Sequence, residues 1–520
     1  MSHAARCFRW IAEHPWCLLL CWLVPACLLP PVPIDETRYL TIAWEMRQSG
    51  DLIGLTLNGQ PYMDKTPLLF WLINASWALF GVATWAARLV DVAFAAGTVA
   101  LLGALAGRVQ DDGARRGAGW VLAPVLIFGT FGSVIMFDGA LSFFVVLALY
   151  AVVVWLGRRD AVGPLLLFAA AALGLLSKGP VFFLHVLFPL ALLPWWHRKP
   201  VDHPWQFALG VVAVMLLAAA PLAWWAYESA ARFHGVPVLD TLARQSVGRV
   251  AESYAHRRPL YWYVPLLPLV LLPWPLWLRW RGVHVRDAMA APLGRIGLAA
   301  SVPAFVAFSL VSGKQVHYLI PLLPGVALFT TAMLRGPVSL LSPGRVAVAI
   351  VVIALAWMWP LATAALLSAS VYASAAWGLG ALAVGGAVLR RFGRRDAQGH
   401  LVVTSSASTL LAVSLVLLVG TRLEAGLDPA GLAHLVGDLQ RRGVPVAMTA
   451  DEPGMIGYLA RLPRPLPVTD DPVAWARQHP RGMLLLHATH GPRPAFVSPA
   501  IDLVDGWEGL ATSASLTSRP

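Results

Sequence analysis

Apolar runs of about 20 residues recur along this chain almost to its end, each long enough to cross a bilayer as an α-helix. They fall at about 15–34, 85–107, 117–136, 139–157, 161–177, 180–196, 205–226, 259–279, 294–311, 316–334, 344–367, 371–389 and 402–421. About thirteen membrane-spanning helices are therefore expected. A shorter apolar run at 67–81 is opened by Asp64, Lys65 and Pro67, which favours an interfacial or half-buried helix. The first run, from Trp16 to Leu29 behind Arg6 and Arg9, has the look of a signal peptide. It extends to Val32 with no A-x-A cleavage pattern, and reads as an uncleaved first helix.

After Gly420 the pattern changes. Residues 422–520 are richer in Pro, Asp, Arg and His. Asp428 to Arg442 has the periodicity of an amphipathic helix and Val444 to Thr449 that of a strand; Asp471 to His479 and Met483 to His487 repeat the alternation. The expected fold class is an all-α polytopic membrane domain over 1–421, followed by a small C-terminal α/β domain over 422–520. No nucleotide-binding glycine fingerprint accompanies that domain, which reads as a lid or docking domain without chemistry of its own.

Composition strengthens this picture. The 520 residues are 58% hydrophobic and 13% charged, whereas soluble chains are about half apolar and a quarter charged. So much apolar surface, spread over most of the length, excludes a soluble globular protein. A net charge of +12 raises the question of nucleic acid. The Lys and Arg residues sit in short clusters between apolar runs, with no basic stripe or RNA-binding module, so no nucleic-acid partner is expected. With the N-terminus cytoplasmic, every inner loop is basic: Arg6/Arg9, Arg108/Arg115/Arg116, Arg158/Arg159, Arg198/Lys199, Arg279/Arg281/Arg286, Arg335 and Arg390/Arg391/Arg394/Arg395. The opposite loops hold most acids, among them Asp35, Glu36, Glu45, Asp51, Asp64, Asp138, Glu228, Asp240 and Glu252. An odd number of spans then places the C-terminal domain outside. The four cysteines, Cys7, Cys17, Cys21 and Cys27, crowd the first apolar run and form neither a disulfide framework nor a metal spacing. The fourteen histidines show no ligand spacing, so no catalytic metal is expected.

Candidate chemistry collects on the outer face, in the loops 35–66 and 227–258. Tyr39, Ile42, Ala43 and Met46 have helical spacing, which predicts an amphipathic helix from Glu36 to Gln48 lying on the membrane. Ser49-Gly50-Asp51 ends it, Asn58-Gly59 signals a tight turn, and Pro61-Tyr62 leads to Asp64-Lys65. Asp138 falls at the outer end of a hairpin between two spans. Lys178 sits between two spans without a long loop, and so does Lys314, followed by Tyr318. A charge at bilayer depth costs about 2.5–3.5 kcal/mol on insertion scales, so these residues point to paired or functional roles. Arg38, Lys65, Lys178 and Lys314 come from separate segments to one face, where they suit a phosphate or pyrophosphate at headgroup depth. Arg244, Arg249, His256, Arg257 and Arg258 of the second loop are placed to close over an anionic headgroup, while Tyr261-Trp262-Tyr263 reads as an interfacial belt.

These residues carry a resemblance. D-E-T-R-Y at 35–39, S-G-D at 49–51 and L-N-G-x-P-Y-x-D-K-T-P at 57–67 resemble the first outer loop of bacterial GT-C glycosyltransferases that use lipid carriers, the aminoarabinose transferase and protein O-mannosyltransferase group. The likeness continues through A-A-R-L at 86–89, F-D-G-A-L at 137–141, L-S-K-G-P at 176–180 and S-x-K-x-x-x-Y-x-x-P at 312–321, in order over roughly 10–335. It implies a GT-C fold of thirteen spans with a periplasmic α/β tail. It makes Asp35 the essential first-loop aspartate, with Asp138 a second catalytic candidate. Arg38, Lys65, Arg249, Tyr318 and Lys178 become holders of the polyprenyl phosphate, and Glu36, Tyr62, Asp64, Lys314 and His256 line the substrate cavity. Two positions depart from the pattern: Asp64 stands where the group has Glu, and Ser246 where aminoarabinose transferases have a His.

The implied activity is an inverting transfer of a sugar from polyprenyl phosphate to a periplasmic acceptor, lipid A phosphate foremost, a protein or glycan hydroxyl as the alternative. The lipid-linked sugar is then donor substrate rather than cofactor, the partners are membrane lipids and the envelope acceptor, and a monomer of the bacterial inner membrane is expected. A transporter or flippase of lipid-linked substrates, and a scaffold with a partner-binding tail, are the competing classes. The first would bring internal repeats and midplane charges.

Overall fold

A computed structural model of the chain describes residue 10 and residues 13–158, 160–233, 258–277, 285–334, 397–450, 452–489, 491–502 and 506–518. Among these, six helices are long and apolar enough to cross a membrane: Thr84–Val109, Phe137–Gly157, Pro204–Arg232, Pro292–Leu310, Val316–Met333 and Leu401–Gly420. Five shorter apolar helices accompany them, Pro15–Leu28, Leu68–Phe80, Val162–Lys178, Val181–Ala191 and Leu260–Val270. The spans drawn at 344–367 and 371–389 lie outside the described residues.

Proline explains where the drawn spans and the observed helices part. The run at 117–136 is two helices, Asp112–Leu122 and Leu126–Phe131. Pro124 falls between them, lacking an amide proton and turning its predecessor away from helix. The run at 15–34 stops at Leu28 because Pro30, Pro31 and Pro33 follow. The run at 259–279 resolves into Leu260–Val270 and Trp274–Trp277 around a set of prolines.

The chain divides into two compact units. The first comprises Met1–Leu28, Arg88–Tyr227 and Val236–Leu418. Its helices Phe137–Gly157 and Val162–Lys178 form an antiparallel hairpin whose turn is fixed by Asp160, which accepts from Val162 N (3.1 Å) and pairs with Arg158 (2.8 Å). Pro292–Leu310 crosses Leu323–Met333 at two glycines: a Cβ on Gly297 would stand 2.6 Å from Gly325 O, and one on Gly325 2.8 Å from Gly297 O. Such small-residue crossings bring helices together where lipid offers no hydrophobic drive. Some polar groups inside this unit find internal partners: Trp277 Nε1 donates to Ser408 Oγ (2.6 Å), and Ser405 Oγ to Trp120 O (2.6 Å). Hydrocarbon would leave them unsatisfied otherwise.

The second unit comprises Leu29–Ala87, Glu228–Gly235 and Val419–Pro520. The loop 35–66 folds into the helix Asp35–Ser49 and a hairpin of β1 (Thr56–Leu57) and β2 (Gln60–Pro61). Asn58 (φ 55°) and Gly59 (φ 73°) make the tight turn, the positive angles that a two-residue hairpin requires. The apolar helix Leu68–Phe80 follows. The tail is a five-stranded mixed sheet in the order β4-β3-β5-β7-β6, from β3 (Val446–Thr449), β4 (Val468–Thr469), β5 (Met483–Ala488), β6 (Ala500–Asp502) and β7 (Trp507–Thr512). β3 pairs in parallel with β4 and β5, while β7 is antiparallel to β5 and β6. The predicted tail helices appear as Ala430–Arg441 and Pro472–Gln478, the second capped by Asp471, whose carboxylate accepts from Ala474 N (2.9 Å). Two apolar clusters close the sheet's faces, one holding Leu432, Val436, Met448 and Leu485, the other Ala476, Leu484, Val497 and Trp507.

Candidate functional site

The candidate residues form two groups, one in each unit. In the second unit, the chain reaches Asp35 through Pro30-Pro31-Val32-Pro33-Ile34. Ile34 adopts φ 72°, ψ −67°, and Asp35 N donates to Pro33 O at 3.0 Å, a three-residue γ-turn in its positive-φ form. A β-branched residue held there stores about 1–3 kcal/mol, strain that structures keep chiefly where a residue must be presented in one orientation. Asp35, half-buried, is the residue so presented. Glu36 is buried, and its Oε2 accepts from Val32 N (2.8 Å), pinning the turn from the first helical turn. Arg38 is half-buried and its Nε donates to Pro453 O at 3.0 Å, which orients the guanidinium.

Lys65 Nζ lies 5.9 Å from the centre of the Tyr39 ring, within range of a cation–π contact. Tyr62 is buried and Asp64 is exposed beside it. Glu45, at the far end of the loop helix, ties the hairpin down: its Oε2 accepts from Thr56 Oγ1 (2.6 Å) and Gly59 N (3.1 Å). Burial pushes the Glu45 carboxyl above its ordinary value, and those hydrogen bonds pull partly back.

In the first unit, Asp138 sits in the first turn of Phe137–Gly157, 2% exposed, where the helix dipole favours a negative charge. Its Oδ1 accepts from Lys178 Nζ at 2.5 Å. Lys178 is the last residue of Val162–Lys178, and its Nζ also stands 5.0 Å over the Tyr318 ring. His317 Nε2 lies 3.9 Å from Asp138 Oδ2, and its ring meets Tyr318 edge-on at 4.8 Å. One carboxylate thus gathers an ammonium, an imidazole and, through the ammonium, a phenol. Lys314 is almost fully buried and donates to two carbonyls, Arg258 O (3.2 Å) and Val311 O. Two of its three protons are therefore held by main chain.

Arg249 and His256 lie outside the described residues. Sequence reasoning passed over His317, His185, Asp91 and Glu452. His185 is buried within Val181–Ala191 with neither ring nitrogen hydrogen-bonded, 5.3 Å from the Phe308 ring. Asp91, wholly buried, accepts from Met136 N at 3.3 Å. The usable signal for these two was an ionisable residue inside an apolar run. His317, at the start of the run at 316–334, carried the same signal, whereas Glu452 lies in the polar tail and its contact with Asn58 spans 394 positions. Among the described residues no three His, Cys, Asp or Glu side chains converge as metal ligands would.

The expected resemblance is borne out by comparison with known proteins. A family model described as dolichyl-phosphate-mannose-protein mannosyltransferase matches residues 64–225. Two proteins of Pseudomonas aeruginosa, each named undecaprenyl phosphate-alpha-4-amino-4-deoxy-L-arabinose arabinosyl transferase, are 31% and 32% identical over 350 and 352 residues. Each match spans 62% of this chain and 60% of the relative, so the chain aligns with about three fifths of the length of these proteins. A transferase of the same name from Shewanella sediminis is 29% identical over 336 residues, 60% of this chain and 58% of that one. The fold is that of the crystal structure of ArnT from Cupriavidus metallidurans bound to undecaprenyl phosphate. The TM-score is 0.72 over 98% of this chain and 99% of the other, at 20% identity.

Proposed function

We propose that this protein is an inverting glycosyltransferase that moves a sugar from polyprenyl phosphate to an acceptor at the periplasmic face of the bacterial inner membrane. The observation that carries this reading is the Asp138–Lys178–Tyr318 cluster, an ammonium fixed by a buried carboxylate and a phenol ring. The names of the matched relatives support the same donor class. In this reading the N-terminus is cytoplasmic, and the first outer loop and the tail are periplasmic, in keeping with the basic inner loops. The acting unit in this reading is a monomer.

The chemistry follows from the leaving group. An acceptor oxygen attacks the anomeric carbon from the side opposite the phosphate. The carbon–oxygen bond to the phosphate breaks, and its electron pair leaves with the lipid phosphate. Fixed cations beside that oxygen lower the barrier because they need no reorganisation as charge develops. Lys178 takes this role, with Arg38, Lys65, Arg249 and Tyr318 as further donors to the phosphate. Asp138, read from the sequence as catalytic, is assigned the positioning of Lys178, since its carboxylate is already engaged by that ammonium. Glu36, Tyr62, Asp64, Lys314 and His256 remain assigned to the walls of the cavity, Glu36 and Lys314 chiefly holding main chain.

The acceptor decides what Asp35 does. A hydroxyl needs a general base to become a good nucleophile, whereas a phosphate on lipid A is already anionic. Lipid A phosphate is the acceptor favoured here, on the resemblance of the loop motifs to aminoarabinose transferases; the names of the matched relatives speak to the donor alone. A protein hydroxyl is the second reading, favoured by the description of the family model that matches residues 64–225.

The test is purified full-length protein given radiolabelled undecaprenyl-phosphate-linked aminoarabinose or mannose, with lipid A or a Ser/Thr peptide as acceptor. Labelled lipid A is expected. Loss of a base costs about 10²–10⁴-fold, so Asp35→Asn should lose that much on a hydroxyl acceptor and far less on a phosphate. Label on the peptide alone would shift the acceptor to the second reading. Movement of intact donor across the bilayer, with no sugar transfer to either acceptor, would overturn the assignment in favour of a transporter. Neither activity would favour a scaffold.

A further inference from the structure

Residues 452–458 of the tail read Glu-Pro-Gly-Met-Ile-Gly-Tyr and follow β3. They lie in the same compact unit as the first outer loop. We propose that this segment is the positioning element of the reaction loop, holding in place the helix that begins with Asp35 and the hairpin that leads to Lys65. The proposal rests on the transferase reading above and adds to it a role for the tail, which the sequence marked only as a lid or docking domain.

The grip runs along one face of the loop helix at three-residue intervals. Arg38 Nε donates to Pro453 O (3.0 Å), Thr41 Oγ1 to Gly454 O (2.8 Å), and Trp44 Nε1 to Leu462 O (2.8 Å). Thr41 Oγ1 also accepts from Tyr458 N (3.1 Å), so one wholly buried hydroxyl bonds the segment at two points. Each of these contacts ends on a main-chain atom of the tail.

The hairpin is held by a second set of bonds. Glu452, 3% exposed, uses both carboxylate oxygens: Oε1 accepts from Met455 N (2.6 Å), and Oε2 from Gly454 N (2.9 Å) and Asn58 Nδ2 (2.6 Å). Asn58 Nδ2 lies 2.9 Å from Glu452 O as well. The same carboxylate therefore shapes the tail segment and binds the tip of the hairpin. Tyr458 completes the junction, its ring stacked on Trp77 at 5.4 Å with 5° between planes.

Two glycines make so close an approach possible. A Cβ on Gly454 would stand 2.5 Å from Leu57 Cδ1 and 3.2 Å from Arg38 Cα, and Gly454 has φ +89° besides. A Cβ on Gly457 would stand 2.7 Å from Thr41 Cγ2. The segment is fitted to this helix face, and the face fixes how Asp35 is presented. A displacement of about 1 Å at a reacting group costs on the order of 10²-fold in rate, so a rigid anchor here has a catalytic consequence without touching substrate.

The experiment uses full-length protein in lipid nanodiscs. Thr41→Val keeps the shape and removes both hydroxyl bonds, Thr41→Ser keeps both, and Asn58→Gly removes the amide while tolerating the positive φ. Hydrogen–deuterium exchange over residues 35–62 is read beside kcat and the KM for radiolabelled undecaprenyl-phosphate-linked aminoarabinose. Thr41→Val and Asn58→Gly are expected to exchange faster over 35–62 and to lose at least about 10-fold in kcat with a smaller change in KM. Thr41→Ser should match the unmodified protein in both. Unchanged exchange and kcat in Thr41→Val, or equal impairment in Thr41→Val and Thr41→Ser, would overturn the proposal. Exchange needs no substrate, so the two readings fail separately. An unmodified protein that transfers no sugar, yet loosens over 35–62 in Thr41→Val, removes the transferase reading and leaves the anchor.

Discussion

Lys178 and Asp138 are unequal members of their pair. The aspartate side chain is 3% exposed and the lysine 17%. Removing the lysine leaves a carboxylate with little water to solvate it, whereas removing the aspartate leaves an ammonium on a flexible stem that tilts toward solvent. Lys178→Met should therefore cost about 3 kcal/mol of stability, Asp138→Asn distinctly less, and the double substitution should recover much of the loss. Thermal unfolding of the four proteins in one detergent measures this; equal losses from the two single substitutions would contradict the asymmetry. Both residues are legible in the sequence because a charge between two apolar runs, with no long loop to solvate it, has few innocent explanations. Thr41 was not, since a threonine in an amphipathic helix carries no mark of a partner more than 400 positions away. Ile34 was equally silent: nothing in Pro33-Ile34-Asp35 announces a positive φ at a β-branched residue.

At the scale of elements, local chemistry was read well and context poorly. Asn58-Gly59 formed the hairpin turn that its residue types require. The two tail helices and two tail strands that the pattern predicts appear within about two residues of their expected ends, the usual precision of such limits, whereas β4, β6 and β7 carry no such pattern. The run at 117–136 was drawn as one span because its hydrophobicity is continuous, while Pro124 acts on the backbone rather than on hydropathy. Two buried carboxyls that no periodicity marks, one on the sheet and one in the segment after β3, also influence each other. Glu508 on β7 is pushed well above its ordinary value of 4.5, first by burial and then by the neighbouring carboxylate of Glu452, which burial raises in turn. A carboxyl whose pKa is raised by folding binds its proton more tightly in the folded state. It favours the fold fully below the unfolded value, and that contribution is lost as pH rises through the folded value. The tail sheet should accordingly be more stable near pH 5 than near pH 8, and Glu508→Gln should flatten the dependence and strengthen the sheet at neutral pH. Exchange of the β5 and β7 amides, corrected for intrinsic rate, reads this directly. A slope that persists unchanged in Glu508→Gln would refute it.

For the whole molecule, hydropathy carried the membrane class and the motif series carried the fold, which the similarity to ArnT bears out at 98% coverage. The arrangement within each unit was less legible. The sequence groups Lys178 and Tyr318 as phosphate holders and sets Asp138 apart as catalytic, and only packing of Phe137–Gly157 against Val162–Lys178 brings Asp138 and Lys178 to bonding distance. The tail was separable by composition, yet its bonds to the loop helix arise from main-chain atoms, to which composition is blind. The central claim is that the lipid phosphate is a leaving group in sugar transfer, and it is tested most directly by its products. Purified protein in nanodiscs would be given undecaprenyl-phosphate-linked aminoarabinose and lipid A, and both products counted by mass spectrometry. The account predicts free undecaprenyl phosphate and glycosylated lipid A appearing in equal amounts, slowed at least about 100-fold by Lys178→Met. Donor that stays intact, or carrier phosphate released at the same rate with and without Lys178, would contradict it.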